Sequence, residues 1–154
     1  MKVLWIDPGK STGWATINID EDHNISAGLF GVTKDMTLVE IVDEIRTADV
    51  VGYETFLLRP DLAQRGRFNW NDFPPVKVIG SFETLCKLHG KTPVKQNAAQ
   101  RIPGYAFVGM DYKAGAKGKH WQDALAHAVF YAVRHLGAIP VTAKKDESAV
   151  DPVT

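Results

Sequence analysis

The sequence predicts one α/β domain on a mixed five-stranded sheet: three antiparallel strands first, then parallel strands reached through helices. Three observations predict it. The opening run Lys2-Val3-Leu4-Trp5-Ile6 is almost wholly apolar and closes on a turn, Asp7-Pro8-Gly9-Lys10-Ser11-Thr12-Gly13, the mark of a buried strand. Two further β-like segments follow across short polar connections, too short for a crossover, so the three must run antiparallel. Beyond Thr37 the apolar positions switch to helical spacing and then alternate with short apolar runs, which implies right-handed crossovers and parallel strands. At 154 residues the chain is long enough to bury a real core.

In order, the second strand is Trp14-Ala15-Thr16-Ile17-Asn18, and Asp20-Glu21-Asp22-His23-Asn24 turns the chain into a third, Ile25 to Val32, weakened by Gly28 and Gly31. Thr37 reads as an N-cap for a helix carrying Leu38, Ile41, Val42 and Ile45 on one side and Glu40, Asp43, Glu44 and Arg46 on the other. Asp49 to Glu54 is a short apolar strand ending in a carboxylate, laid parallel to the first strand by the crossover. Residues 56–75 show no periodicity and mix cations with aromatics, as functional or mobile loops do. Pro74-Pro75 opens a helix over Val76–His89 that Gly90 stops. Thr92–Gln96 is a strand, Asn97 caps a short helix Ala98–Ile102, Pro103–Gly118 reads as a Gly- and Lys-rich loop, and His120–Leu136 is the last helix, ended by Gly137. This order is the pattern of a ribonuclease H-like α/β fold. It gives a domain over residues 1–137 and a flexible tail over 138–154.

Composition excludes little. Eighteen basic residues balance eighteen acidic ones, so net charge announces no partner. The distribution is uneven: Thr16–Glu54 holds nine acidic and two basic residues, and Lys87–Lys119 seven basic and one acidic. That polarity suits one face meeting a polyanion. A single cysteine, Cys86, allows no intrachain disulfide and fits a reducing cytosol. No cationic lead enters an apolar stretch, and no run approaches the ~20 apolar residues of a membrane span, so no membrane contact is expected.

The candidate chemistry lies at strand ends. Asp7 and Glu54 fall at the same edge of adjacent strands. His120 and Asp123 stand three apart on the last helix and project from roughly one face. Around them Ala124, Ala126, Ala128 and Ala132 let that helix pack close to a sheet, while Leu125, Val129 and Val133 supply core contacts. Several carboxylates with a histidine suit two-metal phosphodiester hydrolysis, in which two Mg²⁺ ions about 4 Å apart activate water and stabilise the leaving oxygen. Mg²⁺ prefers oxygen ligands and keeps several waters, so three or four protein ligands suffice. Asp7, on the central strand, is the natural bridging ligand.

The segment Val3-Leu4-Trp5-Ile6-Asp7-Pro8-Gly9 with Thr12-Gly13 resembles the opening of RuvC-type Holliday junction resolvases. Tyr53-Glu54 resembles their second acidic strand end, and Gly118–His135 (GKHWQDALAHAVFYAVRH) their C-terminal catalytic helix. The resemblance spans about residues 1–136, with the motifs in the family's order. It implies a homodimeric crossover junction endodeoxyribonuclease of DNA recombination and repair, acting on four-way junctions and other branched DNA. Asp7, Glu54, His120 and Asp123 would be the catalytic, metal-binding set, holding two Mg²⁺ ions, with Mn²⁺ able to substitute and no nucleotide cofactor. The short chain is more like the compact phage-borne members, which would place it in a host cytoplasm. Where bacterial members carry a lysine after the fifth strand, this chain reads Gln96-Asn97-Ala98-Ala99-Gln100-Arg101. Arg101 is one replacement, though it cannot exchange a proton as lysine can; Lys113, Lys117 and Lys119 are others. The alternatives are a ribonuclease H-like nuclease on RNA or flaps, or a non-catalytic nucleic-acid-binding module of this fold.

Candidate DNA contacts are Gly9, Lys10, Ser11 and Thr12 in the first turn, where backbone and hydroxyls could meet a phosphate, and Arg65, Arg67 and Phe68 in the long loop. Arg101, Lys113, Lys117 and Lys119 complete the set. Phe56, Trp70 and Phe73 either stack on bases or pack the loop down. The Gly9-Lys10-Ser11 triplet fails as a nucleotide-binding loop, because that motif's first glycine would fall at Leu4. Cys86-Lys87-Leu88-His89 reads as helix core and helix end rather than half a zinc site, and His127 either stands behind the metal ligands or is simply packed, the packed reading being preferred.

Overall fold

The computed structural model describes residues 1–56, 73–112 and 120–141. Five strands form one sheet: β1 (Lys2–Asp7), β2 (Thr12–Ile19), β3 (Ile25–Thr33), β4 (Val50–Glu54) and β5 (Val94–Gln96), in the spatial order β3-β2-β1-β4-β5. β1 pairs antiparallel with β2, and β2 with β3, while β4 runs parallel to both β1 and β5. Around the sheet lie α1 (Val42–Thr47), α2 (Pro74–Leu88), α3 (Arg101–Val108) and α4 (His120–His135). The mixed five-stranded sheet expected from the sequence, three antiparallel strands followed by parallel ones, is the one observed.

β1 is apolar at consecutive positions because both its faces are buried, as in the central strand of a layered α/β fold. Leu4 and Ile6 point to one side and pack with Leu38, Ile41, Ile45, Val78 and Phe82, from α2 and from the turn and helix that precede β4. Val3 and Trp5 point to the other side and meet Ile17, Ala128, Val129 and Ala132. The small residues of α4 do what their size predicts: Ala124, Ala126, Ala128 and Ala132 are all fully buried. Two glycines set the close approach. A Cβ on Gly13 would stand 2.0 Å from the carbonyl carbon of His120, and one on Gly104 would stand 2.0 Å from the oxygen of Ala126. So α4 starts directly on β2, and α3 lies tightly against α4.

Three local expectations need correction. Residues 103–108 are helix, not loop: a 3-10 turn, Ala98–Gln100, capped by Asn97, runs straight into α3. Pro103 sits in the first turn of α3, where its missing N–H would have had no intrahelical partner. Thr37 is not an N-cap. Its hydroxyl donates to the Asp35 carboxylate at 2.6 Å, Leu38 takes a left-handed conformation with φ 59°, and one 3-10 turn, Val39–Ile41, precedes α1. β5 is shorter than expected, starting at Val94. At the other end, Ala138 is buried and the Ile139 N–H donates to the His23 oxygen at 2.8 Å, so the chain stays docked past Gly137. Among the described residues, no helix is long and apolar enough to cross a membrane.

Candidate metal centre

β1 and β4 lie in parallel register, with Leu4 opposite Val51 and Ile6 opposite Tyr53, so Asp7 and Glu54 emerge side by side where the two strands end. α4 begins over the same edge because Gly13 admits its first turn. His120 and Asp123, one turn apart, therefore face the strand ends. The outcome is a three-donor group: one ligand atom each from Asp7, His120 and Asp123, all within 4.8 Å of one another.

His120 Nδ1 lies 2.9 Å from Asp7 Oδ2. Asp123 accepts a hydrogen bond from the Tyr105 hydroxyl at 2.8 Å, and its other oxygen is 3.8 Å from Arg101 Nη1. Asp7 is 9% exposed. Burial pushes its carboxyl up from 3.8 to about 6; the His120 hydrogen bond opposes the rise, and the charges of Glu54 and Asp123 add to it. Burial, the bond to Asp123 and that carboxylate's charge raise the Tyr105 hydroxyl, which keeps it a hydrogen-bond donor at neutral pH.

Glu54 has other company. Its Oε2 accepts from Arg101 Nη1 at 3.0 Å and faces His127 Nε2 at 2.8 Å. His127 is fully buried, its Nδ1 lies 2.6 Å from the Gln96 Oε1, and its ring stacks on Trp5 with centroids 6.0 Å apart. Burial alone would raise the Glu54 carboxyl, but His127 and Arg101 outweigh it and hold the group below its ordinary value. Glu54 thus stands beside the three-donor group while being neutralised by neighbours of its own.

The donor set fits a hard divalent cation. Two carboxylates and an imidazole are oxygen and nitrogen ligands of the kind Mg²⁺ and Mn²⁺ accept. Burial, with the charges of Glu54 and Asp123 adding to it, disfavours the ionised Asp7 carboxyl, and a cation bound there would favour it.

In the first turn, Lys10 is exposed and Gly9 and Ser11 are half-buried. Thr12 is buried, and its hydroxyl donates to the Gly9 oxygen at 3.2 Å. That hydroxyl closes the turn rather than facing outward to a phosphate. Arg65, Arg67, Phe68, Lys113, Lys117 and Lys119 lie outside the described residues, as does Trp70. Phe56 and Phe73 rest against each other with centroids 4.7 Å apart. Cys86 is buried, which pushes its thiol up to about 12. Tyr105 and Gln96 were not legible as site residues. The first sat in a stretch that Pro103 and Gly104 disguised as loop, and the second carries no motif.

No family model matches the chain, and none of the curated proteins does either. Solved structures do. RuvC of Thermus thermophilus in complex with a Holliday junction substrate shares the fold with a TM-score of 0.58 at 18% identity, covering 88% of this chain and 97% of that one. A second T. thermophilus RuvC structure gives 0.56 at 17% identity, covering 90% and 98%.

Proposed function

We propose that this chain is a metal-dependent, structure-selective DNA endonuclease that hydrolyses phosphodiester bonds in four-way junctions and other branched DNA. One observation carries the reading. Donor atoms from opposite ends of the chain, Asp7 on β1 and His120 and Asp123 on α4, lie within 4.8 Å of one another, at the strand ends of a fold shared with a RuvC bound to a Holliday junction.

Asp7, His120 and Asp123 hold the ion, with Glu54 as the fourth member of the set. A bound Mg²⁺, or Mn²⁺ in its place, supplies Lewis-acid activation of water and charge stabilisation at the phosphate. Tyr105 fixes the Asp123 carboxylate by donating to one oxygen. Gln96 and His127 fix Glu54 from the buried side, and Arg101 fixes it from the open side. Gly9, Lys10 and Ser11 border the centre at the mouth of the first turn and are suited to a phosphate backbone. Paired cuts in a symmetric junction require two centres, so the working form is a homodimer. On α2, Val76 and Leu88 remain exposed and available to a second copy.

The test is cleavage of three synthetic substrates, a four-way junction, a flap and an RNA–DNA hybrid, with and without Mg²⁺, by wild type and Asp7→Asn. Mg²⁺-dependent junction cutting that Asp7→Asn loses is the expected result. Cutting of the flap or the hybrid in preference to the junction would move the substrate to that class. An uncut junction with the two proteins alike would overturn the reading.

A further inference from the structure

We infer that Phe30 and Trp121 form an aromatic shelf beside the metal centre, which stacks one unpaired nucleobase next to the phosphate being cut. The inference rests on the nuclease reading above and deepens it, by naming a feature that favours branched DNA over plain duplex.

Three observations carry it. The first is position. β3 is an edge strand, paired with β2 alone. Asp7 stands opposite Gly13, and Gly13 opposite Val32, with Phe30 opposite Ala15. Residues opposite one another in a ladder share a face, so Phe30 and Val32 lie on the face that carries the Asp7 carboxylate and the first turn of α4. Adjacent strands are about 4.8 Å apart, so the row from Asp7 to Val32 spans roughly 10 Å, the scale of a nucleotide from its phosphate to its base. The second is contact. The Phe30 and Trp121 rings stack with centroids 4.3 Å apart and planes 26° apart. Trp121 directly follows His120, whose Nδ1 is 2.9 Å from Asp7 Oδ2. The third is exposure. Phe30 is 53% exposed and Val32 49%, and the neighbouring His120 side chain is 49% exposed. Neither ring belongs to the two buried core clusters, so core packing does not account for the stack.

The chemistry follows from what the shelf offers. Two stacked rings present a π-face, with the Trp121 indole N–H as their one hydrogen-bond donor, so they do not read the edge of a base. Stacking on an aromatic face is tolerant of base identity, but it needs a base that has left its own stack. A continuous duplex provides one only at the cost of unstacking, and that cost is least where pairing is already broken. One peptide bond joins the shelf to His120, so a base held there fixes the adjoining phosphate relative to Asp7, His120 and Asp123. An exposed edge strand also invites a second protein strand, so pairing of two copies through β3 is the rival the test must separate.

The test compares wild type, Phe30→Ala and Phe30→Tyr, with circular dichroism confirming that each is folded. Four-way junctions carry an abasic site at each nucleotide flanking the cut in turn. Phe30→Ala should cut the intact junction more slowly than wild type in single turnover, on the order of tenfold, the size of one base–aromatic stack. Phe30→Tyr keeps a ring and should stay within about twofold of wild type. At one abasic position wild type should fall to the rate of Phe30→Ala, and Phe30→Ala should lose nothing further there. A ring that only packs the protein would slow both substrates alike. A second readout needs no turnover: iodouracil at that position, irradiated without Mg²⁺, should crosslink to a peptide containing Phe30 or Trp121. Equal cutting by wild type and Phe30→Ala overturns the inference. So do losses that add at every abasic position, crosslinks only to other peptides, or a Phe30→Ala protein that has lost a dimer formed by wild type. A junction that wild type leaves uncut removes the nuclease reading itself and this inference with it.

Discussion

Two corners of one sheet edge carry the same kind of side chain in opposite electrostatic settings. Asp7 ends β1 among Asp123, Glu54 and the His120 ring, and its carboxyl is pushed up to about 6. Glu54 ends β4, one strand over, and is held below its ordinary value by His127 and Arg101. The first corner stores unfavourable charge in the folded protein, and the second has compensated it with residues of its own. A carboxylate kept uncompensated in a largely buried position costs stability. Such a cost is typical of a site shaped for a ligand that brings the missing charge.

The largest effect that sharpens this comparison is on catalysis. Asp7→Asn should lower Mg²⁺-dependent junction cleavage by on the order of 10³-fold or more, measured in single turnover. The same substitution should act on stability in the opposite sense. The folded protein holds the Asp7 proton more tightly than the unfolded chain does, so the metal-free protein loses stability as pH rises through the window from 3.8 to about 6. Asp7→Asn removes that loss. Its Tm without metal should exceed wild type by roughly 4 °C at pH 8, and the two should converge near pH 4.

Glu54→Gln should behave in reverse. Removing that charge strands Arg101 and the buried His127, and breaking a largely buried pair costs about 3 kcal/mol, so Tm should fall at neutral pH. A Glu54→Gln protein more stable than wild type at pH 8 would erase the distinction between the corners. Gly13→Ala comes next. Its added methyl meets the His120 backbone at 2.0 Å, and relief of such a clash costs about 1–3 kcal/mol. Chemical denaturation should report that loss together with weaker Mn²⁺ binding, because the shifted turn carries His120. The smallest effect belongs to Gln96→Leu, which removes one buried contact to His127 and should cost about 1–2 kcal/mol.

The sheet was readable because its signals are local and repeated. The apolar run of β1, the two short connections and the helix-strand alternation each allow few topologies. The placement of Asp7 beside Glu54 followed from strand order, and the shared face of His120 and Asp123 from helical spacing; that this face joins the two strand ends was implied by the resemblance to RuvC-type resolvases. What failed depended on contacts between distant segments, apart from one local competition at Thr37. Pro103 and Gly104 read as breakers, yet the proline occupies a helical first turn and the glycine is there because Ala126 lies against it. Thr37 offered a hydroxyl where a cap was expected, but Asp35 captures it. His127 was legible as buried. Its grip on Glu54 was not, because 73 residues separate the two and only the packing of α4 on β4 joins them. Arg101 was visible as a cation near the site, while its bridging position needed the turn that starts α3.

The most direct measurement is thermal unfolding across a Mg²⁺ series at pH 8, comparing wild type with Asp7→Asn. If the Asp7, His120 and Asp123 corner is a cation site, wild type should begin lower and climb with Mg²⁺, as binding to the folded form requires. Asp7→Asn should begin higher and stay nearly flat. Two curves that rise in parallel, or a wild type indifferent to Mg²⁺, would contradict the account.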